Sequence, residues 1–136
     1  MCGRLMMSMY GTRDAATNWA AEYTETLMKD GYRRREANTC LFHHPISGVS
    51  IMVHGDDFIA VGSKAGVKSI REALEGKYKL KVQTLGGRKE CVKEIRVLNK
   101  IVRHTAVGIE LEADPRHAEI VIRDLGLTDG KPSKVP

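Results

Sequence analysis

Aromatic residues, cysteines and long apolar runs are all scarce in this chain. Aromatic residues make up 5% of its 136 residues, with a single tryptophan. The three cysteines, Cys2, Cys40 and Cys91, lie far apart and follow no metal-ligand spacing, which argues against a zinc site and favours reduced thiols. No run approaches the roughly 20 apolar residues of a membrane-spanning helix, and the N-terminal stretch is too interrupted for a signal peptide. We therefore expect a soluble intracellular protein, in the cytoplasm or the nucleus, with no membrane partner.

The residues that are present suit one globular domain. Hydrophobic residues make up 42% of the chain, which is compatible with a core in a domain of this length. Pro132 and Pro136 are typical of a linker, so we predict a domain over residues 1–127 and a tail over residues 128–136. The net charge of +5 favours a polyanionic partner such as nucleic acid, although many solvated surfaces are equally basic.

The stretch from Ile51 to Gly62 carries the strongest local signal. Two short apolar runs flank Gly55-Asp56-Asp57, which predicts a β-hairpin whose turn, or the strand just after it, carries the two carboxylates. Carboxylates hold hard cations such as Mg²⁺, and pairs of such metals serve polymerases and nucleases in phosphoryl transfer. Gly-Asp-Asp is also ordinary turn composition, so a purely structural turn fits the same residues.

Periodicity and capping residues predict the other elements. The first is a helix over residues 14–30, with Thr12 as N-cap and Gly31 at its end, followed by a strand over residues 39–44 and the acidic hairpin. A helix capped by Ser63 comes next, and then strands over residues 78–82, 94–103 and 107–113. The last element is a helix that begins at Pro115 and is capped by Asp114. Trp19 and Tyr23 lie on the apolar side of the first helix and are predicted in the core. This order predicts the α+β class, with an antiparallel sheet and helices packed on one face.

Basic residues cluster in the middle of the chain. Lysines alternate with Tyr78, Leu80 and Val82, which predicts a half-buried strand with a lysine face, and a basic glycine loop follows it. The candidate nucleic-acid-binding residues are Lys77, Lys79, Lys81, Arg88 and Lys89. Lysines also protect exposed sheet edges from aggregation, so these lysines are equally compatible with a structural role and with nucleic-acid binding.

Five segments, in the same order, resemble the second half of the reverse transcriptase of Ty1/copia-type retrotransposons. The segment from Ser8 to Trp19 resembles the family's Leu-Tyr-Gly-Leu-Lys-Gln-Ala-Pro-x-x-Trp, and the segment from Gly31 to Phe42 resembles Gly-Phe…Asp-x-Cys-Leu-Phe. The segment from His54 to Asp57 stands where the family has Tyr-Val-Asp-Asp. The segment from Arg96 to Val102 is similar to the Tyr-Phe-Leu-Gly-Ile-Glu-Ile strand, and Lys131-Pro132 is similar to the Lys-Pro that follows the palm. Each segment alone has low specificity, and the resemblance rests on their ordered co-occurrence over nearly the whole chain.

The resemblance implies a partial polymerase palm subdomain. Asp56 and Asp57 would be two members of a carboxylate triad that binds catalytic Mg²⁺ for nucleotidyl transfer in the complete enzyme. Arg13, Asp14 and Ala15 would lie beside the incoming nucleotide, and residues 98–110 near the primer strand. The implied partners are an RNA or DNA primer-template, deoxynucleoside triphosphates and the rest of the Pol polyprotein.

Departures from the family pattern bear on activity. The family's first catalytic aspartate lies upstream of the Tyr-Gly segment, and residues 1–9 of this chain include no carboxylate. His54 and Gly55 replace the tyrosine and the aliphatic residue before the acidic pair. Asp14 replaces a glutamine near the nucleotide, where its charge would repel triphosphate. The chain alone is therefore expected to lack polymerase activity.

Three hypotheses follow from the sequence. The first is a fragment of an RNA-directed DNA polymerase. The second is a non-catalytic nucleic-acid-binding remnant that uses the basic residues. The third is a fragment without a biochemical role that folds poorly because part of its sheet is missing.

Overall fold

The chain forms two compact units, Met1–Leu80 (unit 1) and Lys81–Pro136 (unit 2). The computed structural model describes residues 7–113, 115–128 and 130. Helices and antiparallel strands confirm the α+β class, but the strands form two sheets where one was predicted. The prediction of one domain over residues 1–127 with a tail after it stays a prediction. None of the described helices is long and apolar enough to cross a membrane.

Unit 1 contains a four-stranded antiparallel sheet and two helices. Its elements are α1 (Ala15–Lys29), β1 (Arg33–Arg34), β2 (Leu41–His43), β3 (Ser50–His54), β4 (Asp57–Val61) and α2 (Lys64–Glu75). The strands lie in the order β1-β2-β3-β4, so each strand pairs with its neighbour in the chain. Every connection in the sheet is therefore a local one.

The core of unit 1 lies between one face of the sheet and both helices. The inward side chains Phe42, Ile51 and Val53 are at most 2% exposed. Leu27 of α1 and Leu74 of α2 belong to the same buried cluster. Both helices thus pack on one face of this sheet, as predicted, and the other face carries the alternate residues of each strand.

The ends of α1 and α2 agree with the predictions at two of the three predicted positions. Gly31 follows α1 with a φ of +89°, and the Ser63 hydroxyl accepts a hydrogen bond from the Gly66 amide at the start of α2. The prediction of Thr12 as N-cap of α1 is wrong. The Thr12 hydroxyl donates to the Met9 carbonyl at 2.7 Å, and the helix begins only after Asp14, whose side chain makes no capping hydrogen bond.

The strand predicted over residues 78–82 does not form. Tyr78 and Leu80 are half-buried against the core and Lys79 is exposed, so the predicted alternation of burial is present over residues 78–80, whereas Val82 is 39% exposed. The Tyr78 amide, however, donates to the Leu74 carbonyl at 2.7 Å and so continues the end of α2. Alternation reports which side chains are buried, whereas a strand also requires a neighbouring strand for its backbone groups.

Unit 2 contains a three-stranded antiparallel sheet and one described helix. Its elements are β5 (Glu94–Val97), β6 (Lys100–His104), β7 (Ile109–Ala113) and α3 (Pro115–Asp124). The strand predicted over residues 94–103 is wrong, because a turn at Leu98–Asn99 divides it into β5 and β6. The hairpin between β6 and β7 and the helix from Pro115 are confirmed. The predicted N-cap Asp114 and most of the predicted tail lie outside the described residues.

The β5–β6 turn places a leucine in a strained backbone conformation. Leu98 and Asn99 have φ values of +48° and +60°, a region that a leucine rarely adopts. We expect Leu98→Gly to raise the free energy of unfolding of unit 2 by about 1 kcal/mol, because glycine removes the Cβ that makes this region unfavourable. Slower amide hydrogen exchange in β5 and β6 would report the gain. Leu98→Ala is the matched control, since it removes the apolar side chain but keeps the strain; an equal gain from alanine would contradict the explanation.

Candidate functional site

The acidic pair lies at the tip of the β3–β4 hairpin. The register pairs Ser50 with Val61 at one end and His54 with Asp57 at the other, which leaves Gly55 and Asp56 as a two-residue turn. Gly55 has a φ of +60° at the first turn position, as a type II′ turn requires. The predicted hairpin is confirmed, with Asp56 in its turn and Asp57 at the start of the strand just after it.

The two carboxylates are open to solvent. Val53 faces the core, so its neighbour His54 and the cross-strand partner Asp57 lie on the opposite face of the sheet. Asp56 and Asp57 are both exposed, and neither carboxylate makes a hydrogen bond or an ion pair within the described part of the chain. Both groups are therefore free to meet a cation or another ligand from solution.

Trp19 of α1 holds the acidic turn in place. Its indole N–H donates to the Gly55 carbonyl at 2.7 Å. Its ring makes edge contacts with Tyr23, Phe58 and Tyr78 at centroid distances of 5.7, 6.0 and 5.2 Å. Trp19 is only partly buried and packs against the core, so its predicted core position is confirmed only in part, and its anchoring of the turn was not predicted. The signal in the sequence was that an indole ring which packs against a core needs an acceptor for its N–H.

The candidate nucleotide-binding residues lie at the start of α1. Arg13 and Asp14 are exposed just before the helix, and Ala15 is its first residue. Ala15 lies one helical turn before Trp19 and on the same side of the helix. The hydrogen bond from Trp19 to the Gly55 carbonyl thus brings the first turns of α1 towards the acidic hairpin tip.

The basic residues do not share one strand. The Lys77 ammonium pairs with the Glu22 carboxylate at 2.6 Å and donates to the Thr26 hydroxyl at 2.5 Å. The hydrogen bond with Glu22, and the nearby Tyr78, raise the pKa of Lys77 and keep it charged. Part of that charge is compensated by Glu22, a residue that the sequence reasoning missed.

The other basic candidates are exposed. Lys79 belongs to unit 1, whereas Lys81, Arg88 and Lys89 belong to unit 2. Arg88 pairs with Glu90 at 3.4 Å on the surface, an interaction that solvent weakens. The candidates are therefore divided between the two units, and the strand with a lysine face that the sequence predicted is not formed.

Asp56 and Asp57 are the residues that could hold a metal ion. Mg²⁺ is commonly bound by one or two protein carboxylates, with waters and substrate phosphates as the other ligands, and this donor pair fits that pattern. No group of three potential metal-ligating side chains occurs among the residues that the structure describes. Within residues 7–113, 115–128 and 130, the third carboxylate implied by the family resemblance is thus not found beside the pair.

Comparisons with known proteins yielded no match to this chain, whether with protein-family models, with curated proteins or with solved structures.

Proposed function

We propose that residues 1–127 of this chain are part of the catalytic palm of an RNA-directed DNA polymerase of the Ty1/copia type. The observation that carries the proposal is the exposed, unpaired Asp56-Asp57 doublet at a hairpin tip that Trp19 holds against α1. The order of the five sequence segments supports the same reading. The reaction in the complete enzyme is nucleotidyl transfer to a primer end.

The proposed roles of the residues follow from their chemistry. Asp56 and Asp57 would hold Mg²⁺, which supplies charge stabilisation to the reacting phosphates when bound. Trp19 keeps the turn at a fixed position, so that the carboxylates do not have to be ordered when the ligand arrives. The exposed guanidinium of Arg13 could pair with a triphosphate and offset the charge of Asp14.

The second candidate function is a non-catalytic nucleic-acid-binding remnant. It is favoured by the net charge of +5 and by the lack of a third acidic ligand near the doublet in the described residues. Charge-driven binding of this kind weakens steeply with salt and needs no metal. The two functions therefore differ in what Mg²⁺ does to primer-template affinity.

The proposal predicts metal binding at the hairpin tip in the presence of primer-template and nucleotide. We expect substoichiometric Mn²⁺, used as a paramagnetic substitute for Mg²⁺, to broaden the amide NMR signals of Gly55, Asp56 and Asp57 before others. Asp56→Asn should abolish the selective broadening, because it removes one of two anionic ligands. Mg²⁺ should also strengthen primer-template binding in a fluorescence anisotropy titration.

Asp30→Asn is the matched control for this test. Asp30 is an exposed carboxylate at the other end of α1, so its removal changes the net charge by the same amount without touching the hairpin. The variant should keep the selective broadening. Binding that shows a salt slope but no response to Mg²⁺ or to Asp56→Asn would replace the polymerase proposal with the nucleic-acid-binding one.

A further inference from the structure

Unit 2 has an apolar sheet face that is incompletely covered. The register of β5, β6 and β7 places five apolar side chains on one side of the sheet, here called the sheet face: Ile95, Val97, Val102, Ile109 and Leu111. Ile109 and Leu111, on the edge strand β7, are 62% and 65% exposed. A small sheet gains its stability by covering such a face with another layer.

The helix of the same unit also exposes apolar side chains. Ala118, Val121, Ile122 and Leu125 follow the i, i+3, i+4, i+7 spacing of a single helical side, here called the α3 stripe. Val121, Ile122 and Leu125 are 54%, 43% and 66% exposed. The α3 stripe is therefore not covered by the sheet of its own unit, although both surfaces are of the kind that pack together.

The charges around the two surfaces are complementary. Lys100 lies on the same side of the sheet as Val102, and its ammonium has no carboxylate partner among the residues described. Glu119 borders the α3 stripe and likewise has no ion pair there. The other side of the sheet is unsuited to an apolar helix, because Arg103 lies there in ion pairs with Glu94 and Glu112.

The occupant that satisfies both surfaces at once is a second copy of this chain. The exposed side chains of β7 and α3 show that the helix leaves the sheet face of its own chain open, so the two complementary surfaces are available to meet between copies. In a two-fold pair each sheet face receives the partner's helix, and both apolar surfaces of both chains are covered. We propose that two copies of this chain pair by reciprocal packing of α3 on the sheet face of the other copy.

Sedimentation velocity of the full chain over a dilution series, under reducing conditions, tests the proposal. We expect a concentration-dependent dimer. Leu111→Glu on the sheet face and Val121→Glu on the α3 stripe should each weaken the dimer about 100-fold or more, because each buries a charge in an apolar contact. Ile120→Glu is the matched control: Ile120 is 43% exposed but lies on the other side of α3, so the dimer should persist.

A mixture of the two disrupted variants distinguishes exchange from other arrangements. The Leu111→Glu chain keeps an intact helix and the Val121→Glu chain keeps an intact sheet face, so the mixture should regain a heterodimer through one undamaged contact. A monomeric mixture would overturn the proposal in favour of packing within one chain. If the Leu111→Glu variant by itself still dimerises, the contact is between two helices. If the Val121→Glu variant by itself still dimerises, the contact is between two sheets. Either result would overturn the proposal.

A second pair of variants guards against misfolding as the cause. Lys100→Glu and Glu119→Lys leave both apolar surfaces intact, and each should weaken the dimer several-fold by placing like charges together. Combining both changes in one chain should restore most of the affinity, because the pair is then reversed in sign. Failure of the combination to recover any affinity, with folding verified by circular dichroism, would contradict the proposed packing, in which Lys100 of one copy lies near Glu119 of the other.

Discussion

Replacing Trp19 by alanine should lower the free energy of unfolding of unit 1 by about 3 kcal/mol and release the acidic turn. The indole is only partly buried, but it contacts three other aromatic rings and donates to the Gly55 carbonyl. Loss of a large packed side chain costs roughly 3–5 kcal/mol when the site cannot collapse. Urea denaturation followed by far-ultraviolet circular dichroism measures the loss, since the variant has no tryptophan to report it.

Trp19→Phe separates the hydrogen bond from the packing. Phenylalanine retains part of the ring contacts and removes the N–H, so we expect a loss of about 1 kcal/mol. Both variants should accelerate amide exchange at Asp56 and Asp57, where the turn is no longer held. Unchanged exchange at the turn in Trp19→Ala would show that the hairpin tip is ordered without the helix.

Replacing Gly66 by alanine should destabilise unit 1 by about 2 kcal/mol, even though alanine is the better helix former. A Cβ on Gly66 would lie 2.5 Å from Cγ2 of Val49, which is 0% exposed. Crowding of this kind costs roughly 1–3 kcal/mol and exceeds the propensity gain of about 1 kcal/mol. Urea denaturation should show the midpoint falling without a change in slope.

A double-mutant cycle identifies Val49 as the cause. Val49→Ala alone leaves a cavity, but in the Gly66→Ala background it removes the clash. The loss of stability in the double variant should therefore be about 2 kcal/mol smaller than the sum of the losses in the two single variants. Ala65→Gly, at an exposed position of the same helix, is the control. It should lose up to about 1 kcal/mol through helix propensity, with no coupling to Val49. Additive losses at Gly66 and Val49 would exclude their contact as the explanation.

The sequence predicts part of the candidate site. Gly55-Asp56-Asp57 between two apolar runs predicts the hairpin because the turn chemistry and the alternation are both local. The tertiary structure decides whether the carboxylates are exposed, because it places the neighbouring elements. In the described part of the chain both carboxylates are exposed and have no partner. Lys77 illustrates the reverse case, because its partner Glu22 lies 55 residues away and no local pattern links the two.

The sequence by itself determined the three helices and the two confirmed hairpins, because helix periodicity, a capping serine and turn glycines act over a few residues. Only the tertiary structure decided how the strands divide into two sheets, why residues 78–82 form no strand, and which carbonyl receives the Trp19 N–H. The physical reason is that strand pairing, burial and long-range hydrogen bonds each need a partner distant in the chain. A segment's own residues do not specify where that partner will lie.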